Sequence, residues 1–101
     1  DVIKHINKKY KVKEEYPWDK YPSYLTFKSN EKWFAIIMRI PYKSLGIESI
    51  EEVDIINVKI EPEQIEKLVN NKQYFKAYHM NKKYWITILL ILDKFILLEY
   101  N

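Results

Sequence analysis

The side chains best suited to chemistry fall close together late in the chain: Tyr78, His79, Asn81, Lys82, Lys83 and Trp85. An imidazole, an amide and two ammonium groups beside an indole could hold a phosphate while the ring stacks a base. Earlier, Asn57 and Lys59 alternate with Ile56, Val58 and Ile60. Period-two spacing puts Asn57 and Lys59 on one side of a strand, and Trp85 and Thr87 on one side of another. If those strands pair in suitable register, the four side chains form a shallow polar-aromatic patch with His79, Asn81 and Lys82 at its rim. The same residues also support a plainer reading. Buried aromatics usually serve packing, so Trp85 would be core, Lys59 would lie along it, and His79 would cap a turn.

A second candidate is charge. Lys4, Lys8, Lys9, Lys11 and Lys13 open the chain, and Lys72, Lys76, Lys82 and Lys83 return near its end. No acidic residue falls between Asn70 and Leu92, whereas Glu48, Glu51, Glu52, Asp54, Glu61, Glu63 and Glu66 crowd the middle. That polarity allows a basic side with Tyr74, Phe75, Tyr78 and Tyr84 interleaved for stacking. It equally fits a solvated lysine surface shaped by a codon bias toward Lys, Ile, Asn and Tyr. Arg39 is the only arginine, and base reading favours the planar fork of Arg.

Other chemistry finds little material. The chain has no cysteine, which excludes disulfides, thiolate metal sites and a Cys nucleophile. His5 and His79 are the only histidines. The first helix is basic where a hard cation would need gathered carboxylates, so neither a metal nor a cofactor is expected. One glycine, Gly46, cannot build a phosphate-cradling loop. Asp19 and the Glu51–Glu52 pair have no nucleophile to serve, so no enzyme is expected.

The elements that must position these groups follow from spacing. Val2, Ile3, Ile6 and Tyr10 repeat at helical intervals over residues 2–10. Tyr16 to Pro22 carries two prolines and three aromatics, which predicts an irregular loop packed onto the body. Tyr24 to Lys28 and Trp33 to Ile40 read as strands joined by a hairpin turn at Ser29–Lys32. In the second of them, Phe34, Ile36, Met38 and Ile40 are expected on one face, and Trp33, Ala35, Ile37 and Arg39 on the other. Pro41 to Glu52 connects to a third strand, Val53 to Ile60, with one face buried and the other polar. Glu61-Pro62 starts a helix with Pro at a harmless early position, and Ile65, Leu68 and Val69 form its apolar stripe. Gln73 to Lys83 is mixed, and Tyr84 to Leu92 reads as a fourth strand. At 101 residues, with 48% hydrophobic and 16% aromatic side chains, the chain has material for one core. A chain of this length buries roughly 65% of its unfolded surface.

Four stretches carry a family resemblance: Tyr16-Pro17-Trp18-Asp19, Lys32 to Met38, Val53 to Lys59, and above all Ala77-Tyr78-His79-Met80-Asn81-Lys82-Lys83-Tyr84-Trp85-Ile86-Thr87-Ile88. Over about residues 1–91 the chain resembles the MmcQ/YjbR family, whose fold is similar to CyaY/frataxin. The resemblance implies an α+β domain with an antiparallel sheet packed against helices. It also implies a DNA-binding role. Family members usually close with a Gly-containing turn and an amphipathic helix. Here Leu89 to Tyr100 has no glycine and Phe95 to Leu98 is an unbroken apolar block, so an atypical C-terminus is expected.

The expectation is therefore one non-enzymatic domain over residues 1–101 that binds DNA through lysines, with Tyr78, His79 and Trp85 near the contact. The alternative is a protein-interaction or small-ligand module using the Lys59, His79 and Trp85 patch. The longest apolar run, Trp85 to Leu92, is too short to span a bilayer as a helix, and no charged-then-apolar leader opens the chain. No membrane partner is expected, and the cytoplasm is the expected compartment. A monomer or weak homodimer is expected, with Phe95 to Leu98 as the candidate self-association surface.

Overall fold

The structure, a computed structural model, describes residues 1–90. The apolar block at Phe95 to Leu98 and the atypical C-terminus lie outside the described residues. Helix α1 (Val2–Tyr10) is followed by strands β1 (Leu25–Ser29) and β2 (Lys32–Pro41). A 3₁₀ turn (Tyr42–Leu45) leads to β3 (Glu52–Lys59), then α2 (Pro62–Leu68), β4 (Tyr74–Lys76) and β5 (Trp85–Leu89). The five strands form one sheet in the order β1-β2-β3-β5-β4, and every pairing is antiparallel. This is the α+β class expected from the sequence.

Local chemistry accounts for the boundaries. The Asp1 carboxylate accepts a hydrogen bond from the Lys4 backbone N–H at 2.9 Å, capping the start of α1. Lys11 ends the helix in the left-handed region, with φ of 55°. Asn30 and Glu31 both have positive φ, 53° and 65°. Ser29 pairs directly with Lys32, so the β1–β2 connection is a two-residue hairpin whose twist matches the strands it joins. Pro62 occupies the first turn of α2, and Gly46 closes the 3₁₀ turn at φ of 81°.

Both faces of the sheet are buried, which corrects the expectation of a polar face on β3. On one face Ile6 of α1 packs with Leu25, Phe27, Ala35, Ile37, Ile56, Val58, Ile86 and Ile88, with Leu68 and Val69 from the α2 end at the margin. On the other, Ile36, Met38, Ile40, Val53, Ile55, Phe75, Trp85 and Leu89 are buried, and among the described residues neither α1 nor α2 packs on them. Their cover is the aromatic loop and the 3₁₀ turn, through Trp18, Tyr24, Trp33, Tyr42, Leu45, Ile47, Tyr78 and Met80. Trp18 meets Trp33 edge-on at 5.4 Å, and Tyr21 stacks on Tyr24 at 4.8 Å. Burial first, then the neighbouring Tyr78 and Tyr21 hydroxyls, raises the Tyr24 phenol above its usual pKa.

The face assignment of β2 also needs correction at its start. Pairing with β1 shifts between Phe27 and Lys28: Ala35 opposes Phe27, but Trp33 opposes Lys28. The extra residue is a β-bulge, and it resets the alternation. Phe34 therefore packs on the helical side with Ala35 and Ile37, while Trp33 joins Ile36 and Met38 on the aromatic side.

Under the aromatic cover lies Thr26, fully buried, with no hydrogen-bond partner for its hydroxyl among the described residues. An unmade hydrogen bond at a buried hydroxyl costs about 1–3 kcal/mol. Thr26→Val keeps the branched shape and removes the orphan oxygen. It should raise stability by about 1 kcal/mol, seen as a higher urea midpoint at unchanged slope. A lower midpoint would mean the hydroxyl has a partner after all.

Candidate functional site

Residues 77–84 carry the chain from β4 into β5, and buried polar side chains hold this turn in place. Asn57 on β3 and Thr87 on β5 are directly paired, and both are fully buried. The Thr87 hydroxyl donates to Asn57 Oδ1 and accepts from the Tyr78 backbone N–H at 2.8 Å. Asn57 Nδ2 returns a hydrogen bond to the Tyr78 carbonyl at 3.0 Å. The three bonds form a closed ring joining two strands and the turn, and every member reinforces the next. The Asn81 carboxamide oxygen then accepts from the Lys83 backbone N–H at 2.8 Å, and its carbonyl accepts from the Tyr84 and Trp85 N–H groups. His79 adopts φ of 56°, a left-handed conformation in which His, Asn and Asp are enriched among non-glycine residues.

This arrangement sorts the residues singled out from the sequence. The strand register is as the patch required: Asn57 faces Thr87, and Lys59 faces Trp85. Yet Asn57 and Trp85 are buried and cannot meet a ligand at the surface. The polar spacing on β3 marks an internal hydrogen-bond ring, and the indole is core, as the plainer reading had it. Asn81 is exposed, but its side-chain oxygen caps the turn. Lys59 is exposed and borders a separate hollow of about 780 Å³ beside α2, with Glu61, Leu68 and Tyr84. Trp85 lines neither hollow, so the Lys59, His79 and Trp85 patch does not form a single surface.

What the turn does bring together is a smaller recess of about 330 Å³ lined by Ser44, Leu45, Lys76, Tyr78, His79 and Lys82, among others. His79, Lys76 and Lys82 are exposed, and Tyr78 is half-buried. The Tyr78 and His79 rings lie 4.0 Å apart, tilted by 50°. Among the described residues no carboxylate lines the recess, and Lys76, Lys82 and Lys83 make no salt bridge. Lys83 sits on the same turn with its ammonium 5.5 Å from the Tyr84 ring. By contrast Arg39 is committed to Asp54 and Glu52, at 3.0 and 3.6 Å. Register places that cluster at the end of β3 away from Lys59 and the turn. Ser44 and Leu45 escaped the sequence reading because nothing local ties the 3₁₀ turn to β4.

Among the described residues no helix is long and apolar enough to cross a membrane. The sequence profile of the YjbR family matches residues 7–99. An uncharacterised protein of Bacillus subtilis strain 168, YyaQ, is 40% identical over 92 residues, covering 89% of this chain and 78% of its own. A crystal structure of a Pseudomonas syringae protein superposes with a TM-score of 0.86 at 40% identity, over 94% of this chain and 86% of that one. A solution structure from the same organism gives 0.79 at 41% identity, over 88% and 73%.

Proposed function

We infer, from the premise that this chain belongs to the YjbR family, that it is a binding module rather than a catalyst, and that it engages DNA phosphates through the turn between β4 and β5. The observation that carries this reading is the recess where Lys76, His79 and Lys82 meet, with no carboxylate in its lining among the described residues. Ammonium groups that make no salt bridge among the described residues can replace the counterions of a phosphate backbone, the main source of sequence-independent affinity for nucleic acid. The hydrogen-bond ring beneath the turn keeps the ordering cost of binding low, because the backbone is already fixed. Lysine in place of arginine suits phosphate contact without base reading.

The expected behaviour is weak, salt-dependent affinity for duplex DNA, about 10⁻⁴–10⁻⁶ M at physiological salt. Fluorescence anisotropy with a labelled duplex, titrated at a series of salt concentrations, measures it. Three phosphate contacts, from Lys76, Lys82 and Lys83, give a logarithmic salt slope of roughly −2.7. No detectable binding at low salt would remove the proposal.

A further inference from the structure

Only part of the recess is charged. Lys76 and Lys82 supply the charge, while Leu45, Phe75 and Tyr78 form an apolar wall. Its volume, about 330 Å³, lies at the lower end of small-ligand sites, about 300–1,000 Å³. A duplex carries its phosphates outside and its bases stacked within, so it would use the lysines and leave the wall empty. An unpaired nucleotide is different: it offers a flat ring between two phosphates. Stacking on aromatic side chains inside a basic groove is how sequence-tolerant single-strand binders work. We infer that the recess takes one unpaired nucleobase against Leu45, Tyr78 and His79, with the flanking phosphates on Lys76 and Lys82, so that single-stranded DNA is preferred over duplex. This rests on the phosphate-binding role of the same turn and adds the ligand's form.

The test compares three labelled oligonucleotides of equal length at one salt concentration: a thymidine strand, an abasic strand with the same backbone, and a duplex. The thymidine strand should bind at least about fivefold tighter than the abasic strand, the lower end of a single base stack. His79→Asn tolerates the left-handed backbone at φ of 56° and removes the ring. It should lower affinity for the thymidine strand toward that of the abasic strand, with abasic binding and the melting midpoint unchanged. Equal affinity for thymidine and abasic strands, or tighter binding of the duplex than of the thymidine strand, overturns the inference while the phosphate-binding role stands. Binding of none of the three overturns both.

Discussion

Asn57→Ala should destabilise the chain by about 3 kcal/mol and free the turn above it. The side chain is fully buried and joins Thr87 to the Tyr78 carbonyl. Alanine removes both hydrogen bonds and leaves the Thr87 O–H donor and the Tyr78 carbonyl unsatisfied, although the hydroxyl still accepts from the Tyr78 N–H; each unmade bond costs about 1–3 kcal/mol. Water can relieve part of that at a half-buried position, which is why the sum stays near the lower end. Total stabilities run about 5–15 kcal/mol, so the loss is a large share. For a domain this size it corresponds to a melting midpoint roughly 10–20 °C lower. Thr87→Val removes the acceptor of the Tyr78 N–H and the donor to Asn57. Because the two substitutions break one ring, the double variant should lose less than the two single losses added, by about 1 kcal/mol. Additive losses would mean that the ring does not act as a unit. Faster amide exchange should be confined to residues 78–84, the segment the ring holds.

The second large effect concerns charge. Replacing Lys76, Lys82 and Lys83 together by Gln should flatten the salt slope for duplex DNA from about −2.7 to near zero. Affinity at low salt should fall by at least about a hundredfold. The control is Lys4, Lys8 and Lys13 replaced by Gln, which lowers the net charge of +3 by the same amount. If the turn is the contact, the control keeps its slope. If both triples weaken binding equally, overall charge explains the affinity, and no particular face does. All six lysines are exposed, so neither triple should change stability by more than about half a kcal/mol per substitution.

Much of the architecture was legible because it rests on local chemistry. The helix at residues 2–10 follows from apolar spacing alone, and Pro62 marks the start of α2. The Ser29–Lys32 turn was placed by its polar residues, although only the backbone shows both central residues at positive φ. What spacing could not reveal were features fixed by distant partners. The bulge beside Phe34 depends on pairing with β1. The second buried face depends on an irregular aromatic loop, which has no period to read. The spacing of Asn57 predicts a solvent face because amides are usually exposed; it is buried because Thr87 and Tyr78 satisfy it. The three-residue β4 is too short for any alternation to stand out. For the candidate site, the stretch from Ala77 to Ile88 supplies part of the recess lining, with Ala77, Tyr78, His79 and Lys82. Its residues divide, however, into those that build the turn, Asn81, Trp85 and Thr87, and those that the turn exposes, His79, Lys82 and Lys83.

The most direct test of the turn as the phosphate-binding element is a titration of the isotope-labelled chain with duplex DNA at low salt, followed by backbone amide shifts. The largest shifts should fall at Lys76, Tyr78, His79, Lys82 and Lys83, and fade together as salt is raised. Shifts concentrated on α1, or spread evenly over every lysine, would contradict it.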